Sequence, residues 1–164
     1  MAGLPPDRAL GYFNFPAGDD TPPSATQRLL ERFPMSIRFA ILGAGRIGQV
    51  HARAVDGNDK AVLAAVFDPV EAAAASVAEQ YGTKIRDLDA IATADDIDAV
   101  IICTPTDLHA QQIEQFARAG KAVFCEKPID LGSARVRACL DVVNETGATL
   151  MVGFNRRFDP HFMG

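Results

Sequence analysis

Short apolar runs alternate with longer segments of mixed polarity along the chain from residue 37 onward. Most of the runs have no polar interruption, which is typical of strands that are covered on both faces of a parallel sheet. On this pattern we expect strands at residues 37–42, 61–67, 84–85, 99–103, 122–125 and 149–154.

The segments between these runs predict helices at residues 46–55, 70–80, 88–92, 107–119 and 131–146. Glycine follows three of them, at Gly82, Gly120 and Gly147, where it can end a helix. Strands that alternate with helices are joined by right-handed crossovers. The expected fold class is therefore α/β, a Rossmann-type doubly wound parallel sheet with strand order 3-2-1-4-5-6.

The first strand leads directly into G-x-G-x-x-G, formed by Gly43, Gly45 and Gly48. In a dinucleotide-binding loop the first glycine makes a tight turn, the second admits a diphosphate, and the third brings the helix close to the sheet. The unpaired N–H groups at Arg46 and Ile47 then face the diphosphate. The Arg46 side chain either assists there or is solvated, and solvation is the favoured alternative.

An acidic residue, Asp68, ends the second apolar run, twenty residues after Gly48. A carboxylate at this place accepts hydrogen bonds from both hydroxyls of an adenosine ribose and repels a 2′-phosphate. Pro69 follows, where a chain that binds NADP would offer a cation. The sequence therefore favours NAD as cofactor. The alternative is that Asp68 only caps the next helix.

Length and composition limit the classes of function. The 164 residues are 48% apolar, enough for one domain with a core. A net charge of −5 argues against a nucleic-acid partner, because such proteins need a basic surface. No stretch approaches the roughly 20 apolar residues of a membrane-spanning helix, so we expect no membrane partner.

Three cysteines, Cys103, Cys125 and Cys139, lie in apolar surroundings without the spacing of metal ligands. We expect each to be a buried packing residue and the protein to hold no metal. Their odd number and the absence of a secretory signal predict reduced thiols and a cytoplasmic location.

Residues 1–34 differ from the rest of the chain because they hold six of its ten prolines and show no sustained period. We predict that they are largely disordered and dispensable, with Met35 as the functional start. Residues 35–154 are the predicted dinucleotide-binding domain, and residues 155–164 the truncated start of a second domain.

Ligands of this fold bind beyond the carboxyl ends of the strands, which makes the segment after the fourth strand a candidate site. Thr104, Pro105 and Thr106 are predicted to contact the cofactor's ribose or nicotinamide side. Thr106 or Asp107 can also cap the following helix. For His109, a structural role and a contact with cofactor or substrate are equally weighted.

The segment after the fifth strand is Glu126-Lys127-Pro128. Successive strand residues face opposite ways, so Glu126 and Lys127 cannot both point at one ligand. Lys127 would lie near the nicotinamide, where desolvation favours its neutral form and allows it to bind or relay a hydroxyl proton. The alternative is an ordinary surface lysine.

After the sixth strand, Asn155 is predicted to lie at the cofactor's edge. Asp159 and His161 suggest a catalytic dyad, but Asp159 before Pro160 is more typical of a helix cap with proline at the first helical position.

These motifs together resemble the Gfo/Idh/MocA oxidoreductases. The resemblance covers about residue 35 to the end. It rests on the glycine loop, Asp68-Pro69, Thr104-Pro105-Thr106-Asp107-Leu108-His109 and Val123-Phe124-Cys125-Glu126-Lys127-Pro128. The segment Gly153-Phe154-Asn155-Arg156-Arg157-Phe158-Asp159-Pro160 is most typical of the inositol dehydrogenases of that family.

The resemblance implies an NAD-dependent oxidoreductase that transfers a hydride from a ring hydroxyl carbon of myo-inositol or a related polyol or sugar. Lys127 matches the family's catalytic lysine and, with Glu126, belongs to the expected cofactor site. A histidine preceded at four residues by an aspartate normally completes the active site, and that motif is absent here.

The family's second domain, an α+β unit that supplies the substrate pocket and an oligomer interface, is also expected to be missing. We therefore expect NAD binding with little or no turnover from this chain alone, and a homo-oligomer if the second domain is present. The alternatives are a stand-alone NAD-binding module and a nonfunctional truncated member of the family.

Overall fold

A computed structural model describes residues 36–162, which form one parallel sheet with helices on both faces. Its six strands lie in the order β3-β2-β1-β4-β5-β6. Their bounds are β1 Ile37–Leu42, β2 Ala61–Phe67, β3 Lys84–Ile85, β4 Ala99–Ile102, β5 Ala122–Cys125 and β6 Leu150–Val152. The predicted fold class and strand order are confirmed.

Within the described residues, the helices are α1 Arg46–Asp56, α2 Glu71–Tyr81, α3 Leu88–Thr93, α4 Thr106–Arg118 and α5 Ser133–Thr146. Two 3-10 turns, Asn155–Phe158 and Pro160–Phe162, follow β6. Most helix ends differ from the prediction by one residue or none, whereas β6 ends two residues earlier than predicted, at Val152. The start of α5 differs by two, because the Asp130 carboxylate accepts the N–H of Gly132 at 2.7 Å and holds a turn before the helix.

Two apolar layers cover the sheet. On one face, α1 and α2 pack through Ala52, Val55 and Val77 against alternate residues of β1, β2 and β4. On the other face, α4 and α5 pack around Phe116, which is fully buried. Every residue of β4 is buried, as its continuous apolar run predicted for a central strand.

The register of the sheet aligns the carboxyl ends of five strands. Leu42 of β1 is paired with Phe67 of β2 and with Ile102 of β4, and the same row continues through Cys125 of β5 to Val152 of β6. The next residue along each strand therefore emerges at one common edge. Those residues are Gly43, Asp68, Cys103, Glu126 and Gly153.

Two ion pairs hold the segment before β4, one to β1 and one to the residue after β3. Arg38 donates to Asp98 through Nε at 2.8 Å, and its backbone N–H donates to the same carboxylate at 2.8 Å. The Arg86 guanidinium donates to both carboxylate oxygens of Asp96 at 2.6 Å. These hydrogen bonds hold the pKa of Asp98 and of Asp96 below the ordinary range of a carboxyl.

The predictions of disorder and of a functional start at Met35 concern residues 1–35, which lie outside the described part of the chain. In the part that is described, no helix is both long and apolar enough to cross a membrane.

Candidate functional site

The turn after β1 depends on Gly43. Its φ is +97°, and a Cβ there would lie 2.8 Å from the carbonyl carbon and oxygen of Cys103. An L side chain is excluded twice, by backbone conformation and by contact with rigid backbone. The N–H of Gly43 donates to the carbonyl of Phe67 at 2.7 Å, which ties the turn to the end of β2.

Gly48 lets α1 cross directly over that turn. A Cβ at Gly48 would lie 1.8 Å from the carbonyl oxygen of Gly43, so the helix could not approach as closely with any other residue. Gly45, in contrast, has open space at its Cβ position and is exposed. The three glycines thus have the three separate environments that a dinucleotide-binding loop requires.

The amino end of α1 faces the same sheet edge. Gly45 is the N-cap residue, and Gln49 is the first residue whose N–H donates back to it, at 3.0 Å. The N–H groups of Arg46, Ile47 and Gly48 therefore precede the first intrahelical bond and point out of the helix end. The Arg46 side chain is exposed, in keeping with the favoured solvated alternative.

Asp68 is fixed beside the glycine turn. One carboxylate oxygen accepts the N–H of Ala44 at 2.7 Å, and the other accepts the N–H of Val70 at 2.8 Å. The second bond forms a turn before α2, whose N-cap residue is Val70 and has no side-chain cap hydrogen bond, so Asp68 does not cap that helix. The first bond points the carboxylate into the loop, next to the end of α1.

A cavity of about 690 Å³ opens between the glycine turn, the end of β2 and α4. Five predicted site residues line it, namely Gly43, Gly45, Asp68, Thr104 and Pro105. The remainder of its wall was not predicted to contact the cofactor and comprises Phe67, Pro69, Val70, Leu88, Cys103, Leu108, Gln111, Gln112 and Gln115. The side chains of α4 in this wall repeat at Leu108, Gln111, Gln112 and Gln115, a helical spacing that marks one face.

Thr104 lines the cavity, and its hydroxyl is already engaged by a neighbouring side chain. Its hydroxyl lies 2.6 Å from the side-chain oxygen of Gln112, which is buried. Pro105 is the N-cap residue of α4, and that cap has no side-chain hydrogen bond. The expectation that Thr106 or Asp107 caps this helix was wrong, because the helix already begins at Thr106. Thr106 does not line the cavity.

His109 lies inside the protein, with only 2% of its surface exposed. Nδ1 is 2.7 Å from the carbonyl oxygen of Pro128, and Nε2 is 2.7 Å from that of Thr104. Both ring nitrogens therefore contact backbone carbonyls. This geometry corresponds to the structural alternative for His109 and leaves no ring nitrogen for a direct contact with cofactor.

Glu126 points toward α1 and pairs with a residue that the sequence analysis missed. His51 Nε2 lies 2.7 Å from Glu126 Oε1, and the His51 ring meets Phe124 edge-on at 5.1 Å. The helical spacing of α1 contained the signal, because His51 lies on the stripe of Gly48, Ala52 and Val55 that faces the sheet.

Lys127 and Asn155 line a second cavity, of about 380 Å³, beyond the ends of β5 and β6. Phe154, Arg156 and Arg157 form the rest of its wall. Lys127 is exposed, so the desolvated surroundings expected for its ammonium group are not supplied by the described residues. The prediction that Glu126 and Lys127 point to different places agrees with their separate surroundings.

The cysteines are poor nucleophiles here. Burial raises the pKa of Cys103 and of Cys125 to about 12, and burial also raises the pKa of Cys139. All three are therefore thiols at neutral pH. Cys125 and Cys139 are buried packing residues as predicted, whereas Cys103 is partly exposed in the wall of the larger cavity.

Asp159 caps the last 3-10 turn, since its carboxylate accepts the N–H of His161 at 2.9 Å and Pro160 is the first residue of that turn. The capping interpretation is confirmed. Among residues 36–162, no three His, Cys, Asp or Glu side chains gather closely enough to hold a metal ion.

The larger cavity fits a dinucleotide on geometric grounds. Side chains are excluded at Gly43 and Gly48, the open N–H groups of α1 suit an anion, and each Asp68 oxygen has one further lone pair for a hydroxyl. Comparison with known sequences agrees, because residues 37–154 match the Gfo/Idh/MocA family, described as an oxidoreductase family with an NAD-binding Rossmann fold. The chain belongs to the Gfo/Idh/MocA family.

Within that family, the chain is 67% identical over 129 residues to inositol 2-dehydrogenase of Rhizobium meliloti (strain 1021). The aligned part is 79% of this chain and 39% of that protein. It is 41% identical over 129 residues to scyllo-inositol 2-dehydrogenase (NAD(+)) of Bacillus subtilis (strain 168), which covers 77% of this chain and 38% of that protein. Two inositol dehydrogenases thus each match more than three quarters of the chain.

A solved structure gives the same result. The chain superposes with a TM-score of 0.72 and 35% identity on scyllo-inositol dehydrogenase from Lactobacillus casei, crystallised with NAD(H) and scyllo-inositol. The match covers 76% of this chain and 38% of that one. The chain therefore spans less than half the length of these Gfo/Idh/MocA relatives.

Proposed function

We propose that the chain binds NAD in the larger cavity and carries the proton-accepting lysine of an oxidoreductase that acts on a ring hydroxyl of myo-inositol or a related polyol or sugar. The main support is the joint placement of the Gly43 turn, the open end of α1 and Asp68 at one sheet edge. The relatives named above support the substrate class, since they are inositol dehydrogenases.

In this proposal the N–H groups of Arg46 and Ile47 hold the diphosphate, with the positive end of the α1 dipole behind them. Asp68 accepts the hydroxyls of the adenosine ribose, and Pro69 offers no cation to a 2′-phosphate. Thr104 and Pro105 form the opposite wall. Bound NAD would supply the acceptor for the hydride.

Lys127 is the proposed base. It lies beyond β5 on the same edge as the glycine turn, and it shares its cavity with Asn155. Once a further domain covers its exposed ammonium group, the neutral amine would take the proton of a substrate hydroxyl, a form of assistance that is typically worth about 10²–10⁴ in rate. Asn155 would hold the neighbouring edge of cofactor or substrate through its amide.

Turnover by this chain alone is proposed to be small. The cavity at Lys127 is lined by five residues and is open, so it offers little to orient a polyol, and full orientation is worth roughly 7–11 kcal/mol. Phe154, Phe158 and Phe162 beside it are 54%, 71% and 58% exposed, a surface that a further domain would cover. A homo-oligomer when the second domain is present, and a cytoplasmic location of the chain, remain predictions.

Calorimetric titration of the chain with NAD and with NADP tests the cofactor proposal. We expect saturable binding of NAD and binding of NADP that is at least about tenfold weaker, since a 2′-phosphate next to Asp68 costs more than about 1.4 kcal/mol. No binding at millimolar concentrations, or a preference for NADP, would overturn it.

The role of Lys127 needs turnover, so it is tested in this chain joined to the second domain of a relative. Lys127→Gln is expected to lower kcat by about 10²–10⁴ and to change the KM for NAD by less than about threefold. A collapse of cofactor affinity with normal kcat would assign Lys127 to binding instead.

A further inference from the structure

The residues on either side of Lys127 are held by histidines from two different helices. His51 belongs to α1, which packs on one face of the sheet, and His109 belongs to α4, which packs on the other. Neither histidine lines the cavity that contains Lys127.

On the first face, the contact is between side chains. His51 Nε2 and Glu126 Oε1 are 2.7 Å apart, and both side chains are mostly covered, at 21% and 26% exposed. Gly153 leaves room for the carboxylate, because a Cβ there would lie 3.4 Å from Glu126 Cδ and 3.0 Å from the ring of Phe124. The helix α1 and the end of β6 thus lie against the side chain of Glu126, the residue before Lys127.

On the second face, the contact is with the backbone. The ring of His109 lies between two carbonyls, that of Pro128 at Nδ1 and that of Thr104 at Nε2, each at 2.7 Å. A neutral imidazole donates one of these hydrogen bonds and a protonated ring donates both. In either state the ring joins the segment after β5 to the segment after β4.

Lys127 makes no side-chain hydrogen bond or ion pair with residues 36–162, and it is exposed. Its position relative to the strand ends is therefore set through its chain neighbours. Glu126 and Pro128 are the neighbours that the two histidines hold.

We propose that His51 and His109 are positioning residues that hold the Glu126–Pro128 segment from opposite faces of the sheet and so place Lys127 at the cofactor edge. The inference rests on the proposed role of Lys127, but its physical content, the rigidity of this segment, is measurable without cofactor or substrate.

The test is ¹⁵N relaxation of the labelled chain, which gives an order parameter for each backbone N–H. For His51 the matched variants are His51→Gln and His51→Asn, because the glutamine amide reaches the position of Nε2 and the asparagine amide does not. We expect the Lys127 order parameter to stay near about 0.85 in the wild type and His51→Gln, and to fall below about 0.6 in His51→Asn.

For His109 the roles of the two variants are exchanged, so that asparagine is the conservative replacement and glutamine the disruptive one. Asparagine places a donor near the position of Nδ1, which faces Pro128, and glutamine places one near Nε2, which faces Thr104. Pro128 has no N–H, so Ile129 is the probe. His109→Asn is expected to keep Ile129 rigid, and His109→Gln to make it mobile.

If the histidines only position this segment, the variants lower the order parameters of Lys127 and Ile129 alone. A general loss of stability would also lower the order parameters in β1 and β4. The inference is overturned if Lys127 stays rigid in His51→Asn, or if β1 and β4 lose order to the same extent. If the His109 variants do not fold, the two His51 variants test the inference by themselves. The His51 side chain is partly exposed, so its replacement disturbs the core less. The order parameters are measured on the chain without NADH. A separate titration with NADH therefore tests the proposed function independently of the positioning role.

Discussion

The carboxylate of Asp68 accepts the N–H of Ala44 at 2.7 Å, although 24 positions separate the two residues in the sequence. The bond joins the end of β2 to the turn after β1, next to the open N–H groups of α1. The second carboxylate oxygen accepts the N–H of Val70 at 2.8 Å. One side chain therefore shapes the loop, orders the start of α2 and keeps one lone pair on each oxygen for a ligand.

Asp68→Asn is expected to weaken NAD binding and to raise the affinity for NADP relative to NAD by about tenfold or more. The amide has the shape of the carboxylate but no charge to repel a 2′-phosphate, and its NH₂ group faces a backbone N–H. Calorimetry with both cofactors measures the ratio. Asp56→Asn, at the far end of α1, removes the same charge and should leave the ratio unchanged. An unaltered ratio in Asp68→Asn would contradict the ribose assignment.

Gly48→Ala is expected to destabilise the fold by about 1–3 kcal/mol or more, because its Cβ would lie 1.8 Å from the Gly43 carbonyl oxygen. Gly45→Ala should change the free energy of unfolding by no more than about 0.5 kcal/mol, since its Cβ meets nothing within 4 Å. Its methyl group would instead stand where the diphosphate approaches and lower NAD affinity. Urea unfolding and NADH titration of both variants measure the contrast. Equal stability of the two variants would refute this account of Gly48.

The free energy of unfolding is expected to decrease as the pH is lowered past about 4. The pKa of Asp98 is lowered in the folded chain by its hydrogen bond to Arg38, so its contribution is full above the unfolded value of about 3.9 and is lost as the pH falls through the folded value. Asp98→Asn should be less stable than the wild type at pH 7, by no more than about 1 kcal/mol because the pair is partly exposed. The two proteins should converge near pH 2. A constant difference in urea midpoints across this range would exclude the linkage.

The three thiols are expected to resist alkylation in the folded chain. With a pKa of about 12, Cys103 and Cys125 are ionised to roughly 1 part in 10⁴ at pH 8, whereas an unfolded cysteine is ionised to about a quarter. Iodoacetamide labelling followed by mass spectrometry should be at least about 100-fold slower than in urea. Cys103 is the sharpest probe, because it is the most exposed of the three thiols. Rapid labelling of native Cys103 would contradict this assignment.

The middle of the sheet could be predicted from the sequence because its strands lie between two others and are covered on both faces. β4 is apolar at each position and every residue of it is buried, so pattern and burial coincide. The helix ends were less predictable. Pro105 is the N-cap residue of α4 without a side-chain hydrogen bond, and the turn at Asp130 shifts the start of α5 toward the carboxyl end of the chain. Both features depend on local backbone geometry, which the spacing of apolar residues does not report.

The candidate site was predictable where a motif fixes the backbone, as at Gly43, Gly48 and Asp68. It was not predictable where contacts join distant segments. His51 meets Glu126 across 75 positions, and His109 meets Pro128 across 19, because the register of the sheet brings together strand ends that the sequence separates. The exposure of Lys127 also depends on which residues pack around it, and the sequence near Lys127 does not indicate those residues.

Binding of NADH to the ¹⁵N-labelled chain, followed by the shifts of its backbone amides, tests the central claim most directly. The account predicts saturable shifts at Gly45, Arg46, Ile47, Asp68 and Thr104, around the larger cavity. Shifts confined to another part of the chain, or no shifts at millimolar NADH, would contradict it.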